Sequence, residues 1–251
     1  FRRQIIETVA KAGEGHIPSA LSILDIVWVL YDKILKIDPQ NPKAEDRDRF
    51  LLSKGHGCLA LYVVLADKGF FPVEWLDRFC QEGAELLGHP ECNIPGVEIT
   101  SGSLGHGLPM AVGMAMALKL KNNPARVFCL IGDQEAQEGT TWEAAALAAH
   151  HKLGNLTCII DHNQSSDDVV NMGSLARKFE AFDWRAREID GHNHHDLANE
   201  LCAGAAWVRP TCIIAHTTKG HGCKDLELEP RAWHHRSPTA EELPRLLEAT
   251  A

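Results

Sequence analysis

The chain has 251 residues, 45% of them apolar, which is enough to bury the core of one large α/β domain. Its net charge of −9, without any clustered Lys/Arg run, argues against nucleic acid or an anionic membrane as the main partner. The eight cysteines are scattered without a C-x-x-C pair, and no apolar span reaches the roughly 18 residues of a membrane helix, so we predict a soluble protein of the reducing cytoplasm.

The first hundred residues predict helices and one short strand. Residues 1–13 have the pattern of an amphipathic helix, and a polar, turn-rich segment occupies 38–49. The apolar run "FLLS" at 50–53 predicts a strand that leads into a helix over 54–69. A further packed helix is predicted over 19–35, with Ser19 as its N-cap and an apolar stripe formed by Leu21, Leu24, Val27, Leu30 and Ile34.

After residue 100, apolar runs of strand length alternate with helical segments. This alternation predicts βαβ units, and therefore an α/β fold with a parallel sheet flanked by helices. From about residue 222 we expect an irregular tail, which includes 224–237, before a last helix over 239–249. The predicted strands are 126–132, 156–161, 186–190 and 211–217, and the predicted helices lie around 107–121, 138–152, 174–183 and 194–208.

Acidic residues follow the strand at 126–132, in "CLIGDQEAQEG". Many nucleotide-binding folds place glycines and a lysine there to hold a phosphate, whereas this chain has Asp133 and no cation. Asn163 follows the next strand, and neighbouring parallel strands end side by side. We therefore expect a hard-oxygen site for Mg²⁺ or Ca²⁺, with the metal holding an anion such as a diphosphate. The alternative is that Asp133 and Glu135 stay solvated or cap the next helix.

Several ordered motifs, spread over nearly the whole chain, resemble transketolase, a family of thiamine-diphosphate enzymes. Asp133 and Asn163 resemble the metal–diphosphate signature of these enzymes. The other similar stretches are "GHIPSALSILDIVWVLY" at 15–31, "RDRFLLSKGHGCLALY" at 47–62, "LLGHPECNIPGVEITSGSLGHGLPMAVGMAMAL" at 86–118, "QEGTTWEAAALAAHHKLGNL" at 137–156, and "HTTKGHG" followed by "WHHRSPT" within 216–239.

The resemblance implies a thiamine-diphosphate-binding (PP-type) fold as a single domain over 1–251. It also implies thiamine diphosphate and Mg²⁺ (or Ca²⁺) as cofactors. Asp133 and Asn163 would bind the metal through their side chains, and Ser165 through its backbone carbonyl. The cofactor-binding positions that the resemblance implies are His56, Gly102, Leu104, Gly132, Asp133, Gln134, Asn163 and His234.

The same resemblance implies an activity and catalytic residues. Transketolases transfer a two-carbon ketol unit from a ketose donor to an aldehyde-type acceptor through a carbanion on the cofactor. His16 and His89 are similar to the histidines that line the substrate channel, and His234 to one near the reacting centre. Glu138 is similar to a glutamate of the carboxylate network between subunits.

A partner subunit is also implied. In transketolases the glutamate that activates the cofactor lies on a second, pyrimidine-binding domain and acts across a subunit interface. No such domain follows in this sequence, so we expect the N-terminal subunit of a split transketolase, active only with a C-terminal subunit. The expected assembly is an α2β2 heterotetramer that takes small sugar or ketol substrates, with no nucleic acid and no membrane.

Departures from the family pattern leave the substrate open. Gln134 replaces a glycine whose backbone would lie against the diphosphate, Pro18 replaces a usual glycine, and His106 replaces a common glutamine. The stretch 163–169 also lacks an expected glycine. A transfer to an unusual acceptor in secondary metabolism therefore fits as well as pentose-phosphate chemistry.

Two further functional hypotheses stay open. One is another thiamine enzyme, such as a 2-oxoacid dehydrogenase α subunit or a decarboxylating carbon–carbon ligase, against which the paired His16 and His89 argue. The other is a non-catalytic homologue, for which Gln134 is the evidence. We do not expect a dinucleotide loop at "GSLGHG", since no convincing strand precedes it.

The other histidines are expected on the surface or in packing positions. No H-E-x-x-H motif occurs, and "HNHH" at 192–195 lacks a carboxylate or cysteine at ligand spacing, which argues against zinc. The histidines counted as surface or packing residues are His150, His151, His194 and His195.

Overall fold

The computed structural model describes residues 1–165, 169–203 and 208–250. Among these residues a five-stranded sheet forms the centre of the fold, in the order β1-β2-β3-β5-β4, and every neighbouring pair is parallel. The prediction of a parallel sheet flanked by helices is confirmed. The strands are β1 (Arg49–Leu52), β2 (Val127–Gly132), β3 (Leu156–His162), β4 (Arg185–Asp190) and β5 (Thr211–His216).

The central strands are apolar on both faces because helices cover both sides of the sheet. Every residue of β2 is buried, as is expected of an internal parallel strand. Cys129 of β2 pairs in register with Cys158 of β3, which pairs with Cys212 of β5. These three thiols have no exposed surface, and all eight cysteines are free, so the three pack as small apolar side chains.

Alternate residues along each strand point into two separate apolar layers. Phe128 and Leu130 face the layer that contains α1, α2, α3, α7, α8 and α9, whereas Cys129 and Ile131 face the layer formed with α4, α5 and α6. The helices are α1 (Arg2–Ala12), α2 (Ile17–Val29), α3 (Cys58–Asp67), α4 (Gly107–Leu120), α5 (Gly139–His150), α6 (Leu175–Ala181), α7 (His194–Ala203), α8 (Lys224–Leu228) and α9 (Glu242–Glu248).

Helix α2 is almost entirely buried, and its start differs from the prediction. Ser19 is not the N-cap; the helix begins two residues earlier, with His16 at the N-cap position and Pro18 in the first turn. Proline favours this position because its fixed φ suits a helix and its missing N–H would have no partner there. The early start brings His16 to the edge of the sheet where the strands end.

Two other element predictions need comment. The segment 224–237 is not wholly irregular, because its first residues form the short helix α8. The helix predicted over 194–208 is present as α7, while 204–207 lie outside the described residues, as does part of the stretch 163–169. No helix in the described part of the chain is both long and apolar enough to cross a membrane.

Candidate active site

A cleft opens where β1, β2, β3 and β5 end, the usual ligand position in a parallel α/β sheet. Its lining includes every residue that the sequence suggested for cofactor or metal binding except Gly102. It also includes Lys54, Glu135 and Lys219, which the sequence analysis did not assign. We call it the strand-end cleft; it is lined by Lys54, His56, Leu104, Gly132, Asp133, Gln134, Glu135, Asn163, Ser165, Lys219 and His234.

Asp133 is buried in this cleft directly after β2. Its Oδ1 accepts a hydrogen bond from the backbone N–H of Gln134 at 2.8 Å. Its Oδ2 is buried and has no hydrogen-bond partner in the part of the chain that the structure describes. Burial, and then the charge of Asp161, raise the pKa of Asp133. A bound cation would satisfy this oxygen and offset the cost of burying the charge, so the residue fits a metal ligand.

Asn163 follows β3 in the same cleft. Its Nδ2 donates to Oδ2 of Asp161 at 2.8 Å, and its Oδ1 accepts from the backbone N–H of Ser165 at 3.1 Å. The amide oxygen therefore faces the turn that carries the Ser165 carbonyl. Together, Asp133, Asn163 and Ser165 offer the carboxylate, amide and carbonyl oxygens that Mg²⁺ and Ca²⁺ prefer.

A buried ion pair lies beneath these groups. Lys54 Nζ contacts the carboxylate of Asp161, and both side chains are almost completely buried. Burial alone would raise the pKa of Asp161, but Lys54, with hydrogen bonds from Ser22 and Thr217, holds it below its usual value. Burial, then Lys54, lowers the pKa of Lys219 to about 8. Two lysines thus border the cleft and can face an anion.

Glu135 is not solvated, so that part of the alternative was wrong for this residue, but its carboxylate does cap the short 3₁₀ helix Asp133–Gln137 that follows β2. It has no exposed surface, and burial raises the pKa of its carboxyl. Its Oε1 accepts from Ser53 Oγ and from the backbone N–H of Gly105 at 3.0 Å, and its Oε2 accepts from the N–H of Gly132 at 2.9 Å. Glu135 therefore ties the loop 101–107 to the ends of β1 and β2.

Five histidines meet at the mouth of the cleft. The His16 ring lies 5.3 Å from the rings of His56 and His234, and 6.4 Å from the ring of His89. His235, which the sequence analysis did not single out, lies 4.4 Å from His16. Burial and the neighbouring positive groups lower the pKa of His16 to about 3 and that of His56 to about 2. Both imidazoles are therefore neutral near pH 7 and can donate one hydrogen bond and accept another.

This neutrality predicts how stability depends on pH. In the unfolded chain His16 and His56 bind protons below about pH 6.5, whereas the folded chain resists protonation down to its lowered pKa values. Stability from these two groups is therefore fully present above pH 6.5 and is lost as the pH falls. We expect the double variant His16→Gln/His56→Gln to lose less unfolding free energy as the pH falls. The slope of unfolding free energy against pH should correspond to up to two fewer protons taken up on unfolding, as measured by urea titrations between about pH 7 and pH 4.5.

The control for that experiment is His195→Gln, because the His195 side chain is 81% exposed. It should leave the slope of stability against pH unchanged. An unaltered slope in the double variant would contradict the assignment of neutral, buried imidazoles.

The other proposed site residues lie around the rim. Gly102 has a φ of 149°, and a Cβ there would come within 3.2 Å of the His89 ring, so the loop passes close to that histidine. Gln134 is exposed and is not among the described residues with a positive φ, so its side chain fits without backbone strain. Glu138 is exposed at the start of α5, with its Cβ beside Gly105, outside the lining of the cleft.

A second histidine group lies away from the cleft. Asp25, from α2, supplies the carboxylate that "HNHH" lacks in sequence: it contacts His192 Nδ1 at 2.9 Å and His194 Nε2 at 2.8 Å. His221 lies close enough to complete a metal-sized cluster. However, Arg2 pairs with Asp25 at 3.0 Å, and both ring nitrogens of His192 are already used, Nδ1 by Asp25 and Nε2 by the backbone N–H of Thr218 at 2.8 Å. The group is better explained as an ion-pair network that joins α1 and α2 to the start of α7 and the loop before it, with His221 from the loop after β5 stacked on His192.

The residues that the sequence analysis missed left weak signals. Asp161 is a charged residue inside the apolar run "LTCIID", and Lys54 follows "FLLS" directly. A charge at the end of a buried strand requires a partner. Nothing local shows that these two residues, 107 positions apart, are each other's partner.

Comparison with known proteins identifies the family. The sequence profile of the family described as "Transketolase, thiamine diphosphate binding domain" matches residues 1–242. A subunit of the apulose-4-phosphate transketolase of Phocaeicola vulgatus is 39% identical over 247 residues, which cover 96% of this chain and 88% of that protein. The 6-deoxy-6-sulfo-D-fructose transketolase subunit SqwG of a Clostridium species is 39% identical over 234 residues, covering 90% of this chain and 85% of that protein.

Solved transketolases have the same fold. The crystal structure of transketolase from Campylobacter jejuni matches with a TM-score of 0.90 and 32% identity over 98% of this chain. The match covers 40% of that longer chain. The resemblance found in the sequence is thus confirmed: the chain belongs to the transketolase family, to the part of it that forms the thiamine diphosphate binding domain.

Proposed function

We propose that residues 1–251 form one thiamine-diphosphate-binding domain that acts as the N-terminal subunit of a split transketolase. Its reaction would transfer a two-carbon ketol unit from a ketose to an aldehyde-type acceptor. The observation that carries the proposal is the strand-end cleft, in which an unpartnered buried oxygen of Asp133 lies with Asn163, Ser165 and a group of neutral histidines. The similarity to proteins named as transketolase subunits, from Phocaeicola vulgatus and a Clostridium species, supports the split arrangement.

The residues of the cleft fit thiamine diphosphate with Mg²⁺. Asp133, Asn163 and the Ser165 carbonyl would hold the metal, while Lys219 and the backbone near Gln134 would face the diphosphate. When bound, thiamine diphosphate supplies a carbon centre that stabilises negative charge on the transferred two-carbon unit.

The histidines bind and orient the sugar in this proposal. His16 and His89 are neutral, and their rings lie 6.4 Å apart at the mouth, so each can donate and accept a hydrogen bond with hydroxyls of the donor sugar. His56, which is partly buried, and His234, which is exposed, line the cleft itself. A neutral imidazole in contact with a substrate hydroxyl can also take up or return its proton.

The partner's docking surface would be an exposed apolar face on α4 and α5. We call it the α4–α5 face; it consists of Met110, Gly113, Ala117, Ala146 and Leu147, all exposed. Met110 is 37% and Leu147 45% exposed, and a Cβ on Gly113 would meet nothing within 4 Å. An apolar face of this kind is typical of an interaction surface.

The position of this face favours a pyrimidine-binding subunit for its occupant. Helix α4 begins at Gly107, at the end of the loop 101–107, and α5 begins beside Glu138. A protein docked on the α4–α5 face would therefore reach Glu138 and the mouth of the cleft together. An α2β2 heterotetramer would bring two such pairs together, and we propose the reducing cytoplasm as their location, where buried thiols such as Cys158 stay reduced.

The decisive experiment assays ketol transfer by this chain and by the C-terminal subunit, each alone and then mixed, with thiamine diphosphate and Mg²⁺. We expect turnover from the mixture and none from either protein alone. Leu147→Asp should weaken association at least about tenfold, because it buries a charge in the interface. The control is Leu228→Asp, which makes the same change at a 72% exposed site on α8 and should leave association unchanged.

Each part of the proposed function has its own contradicting result. Full turnover by this chain alone would refute the split arrangement, and no cofactor binding in the mixture would indicate a non-catalytic homologue. Turnover only with 2-oxoacid donors would favour a decarboxylating thiamine enzyme. Equal association of the two aspartate variants would remove the α4–α5 face from the interface.

A further inference from the structure

We propose that Asp161 is a positioning residue that fixes the orientation of the Asn163 amide, so that the amide oxygen and not the NH₂ group faces the metal. The inference rests on the proposed function, because it concerns the same metal site. The inference goes beyond the proposed function by assigning a role to a buried carboxylate that does not line the cleft.

The carboxylate of Asp161 is held by four donors. Its Oδ1 accepts from Ser22 Oγ at 2.6 Å and from Thr217 Oγ1, and its Oδ2 accepts from Lys54 Nζ and from Asn163 Nδ2 at 2.8 Å. Two donors on each oxygen use all the acceptor sites of a carboxylate. With no exposed surface, Asp161 therefore has neither room nor a free lone pair with which to rearrange.

An asparagine amide has nearly the same shape in its two flipped orientations, so its hydrogen-bond partners decide between them. On one side Asn163 meets acceptors, namely Asp161 Oδ2 at 2.8 Å and Ser22 Oγ at 3.3 Å. The Ser22 hydroxyl gives its hydrogen to Asp161, so its lone pairs face the Asn163 NH₂ group. This side of the amide must therefore be Nδ2.

The other side of the amide is consequently Oδ1. It accepts one hydrogen bond, from the Ser165 N–H at 3.1 Å, and keeps a second lone pair for a cation. In the flipped orientation the NH₂ group would oppose the Ser165 N–H and would repel a metal ion. Partners that orient metal ligands in this way typically contribute about 10- to 100-fold to metal affinity.

Lys54 lets a second negative charge exist close to the metal site. It neutralises Asp161, with which it forms a pair that is 4% and 0% exposed. Changing Asp161 alone would leave Lys54 buried and unpaired, which is strongly destabilising. The test therefore replaces both residues at once, with Lys54→Met in each variant, so that neither position carries a charge.

Two double variants form a matched pair. Lys54→Met/Asp161→Asn keeps an oxygen that can accept from Asn163 Nδ2, while the hydroxyls of Ser22 and Thr217 can rotate to accept from the new amide. Lys54→Met/Asp161→Leu removes the acceptor. Calorimetric titration with thiamine diphosphate at a series of Mg²⁺ concentrations gives the metal dependence of binding, and melting of the apo proteins reports folding separately.

We expect the leucine variant to require about 10- to 100-fold more Mg²⁺ than the asparagine variant. Adding Asn163→Asp should rescue it, because a carboxylate presents oxygen in either orientation. In the wild-type background the same Asn163→Asp should instead raise the Mg²⁺ requirement, because it places a carboxylate oxygen against Asp161 Oδ2. If Asp161 had a purely structural role, Asn163→Asp would not have opposite effects on the Mg²⁺ requirement in the two backgrounds.

The possible results distinguish this inference from the proposed function. Wild-type protein that shows no Mg²⁺-dependent binding of thiamine diphosphate would refute the function itself. Wild-type binding with equal Mg²⁺ requirements in the two double variants, or no rescue in a cooperatively melting triple variant, would overturn the role of Asp161. If the leucine variant does not fold, Asn163→Asp in the wild type decides, and unchanged or tighter binding there would overturn the inference.

Discussion

Asp133→Ala is expected to lower the affinity for thiamine diphosphate in the presence of Mg²⁺ by at least about 100-fold, because losing a direct metal ligand should exceed the 10- to 100-fold loss typical of outer partners. The measurement is a calorimetric titration with and without Mg²⁺. The wild type should depend strongly on the metal, and the variant should show weak binding that Mg²⁺ hardly improves. Wild-type affinity in the variant would refute the role of Asp133.

The same substitution should leave the apo protein at least as stable as the wild type. The Oδ2 of Asp133 is buried without a hydrogen-bond partner among the described residues, and burial with the nearby Asp161 raises the pKa of the group. Because its folded pKa lies above the unfolded value, the ionised form destabilises the fold at neutral pH, and this cost is relieved as the pH falls and the group is protonated.

Apo melting temperatures at about pH 7 and pH 4 test the sign of that effect. Asp133→Ala should melt at or above the wild type at pH 7, and the difference should shrink in acid. Asp77→Ala is the control, since Asp77 is an exposed carboxylate whose side chain is 66% accessible and pairs with Lys11 at the surface. It should change neither cofactor affinity nor the pH dependence of melting.

The sequence predicted that Asp133 and Asn163 lie close together because their placement follows from the sheet. Apolar runs separated by helical segments imply parallel strands, and parallel strands end at one edge. Asp133 and Asn163 could therefore be brought together from their positions after two strands, and the structure places both in one cleft. Their metal-binding role remains a prediction for the experiments above.

The interior polar contacts could not be predicted in the same way. Glu135 looks like an ordinary loop acid until Ser53, Gly105 and Gly132 are seen to surround it. Lys54 and Asp161 are ordinary charges in the sequence, and their pairing depends on how β1 and β3 are brought near α2. Such partners are set by tertiary packing, which leaves no periodic pattern.

The grouping of histidines at the mouth of the cleft could not be predicted from the sequence in full either. The chain has 14 histidines, and composition alone cannot say which of them meet. The resemblance to transketolase selected four histidines: His16, His56, His89 and His234. The ring of His235, which was not selected, lies nearer to the ring of His16 than any of the other three does. Its proximity arises because His234 and His235 are adjacent in the segment between α8 and α9, which folds back over the start of α2.

Gly107→Ala should be among the most destabilising single substitutions in this chain. A Cβ at position 107 would lie 2.3 Å from both Cβ and Oγ of Ser53 and 2.9 Å from its Cα, so the start of α4 would have to move away from the end of β1. The Gly107 N–H also donates to Ser53 Oγ at 3.1 Å, and Ser53 in turn holds Glu135. Overpacking and the loss of these hydrogen bonds together should cost about 3 kcal/mol.

Gly113→Ala on the same helix is the matched control. A Cβ there meets nothing within 4 Å, so the isolated chain should gain roughly 0.5–1 kcal/mol from the lower backbone entropy of alanine in the unfolded state. Urea unfolding of the three proteins measures both effects, and the two substitutions should shift stability in opposite directions. Because Gly107 ends the loop that carries Gly102 and Leu104, Gly107→Ala should also weaken thiamine-diphosphate binding, whereas Gly113→Ala should not. A Gly107→Ala protein as stable as the wild type would show that the contact with Ser53 does not fix where α4 begins.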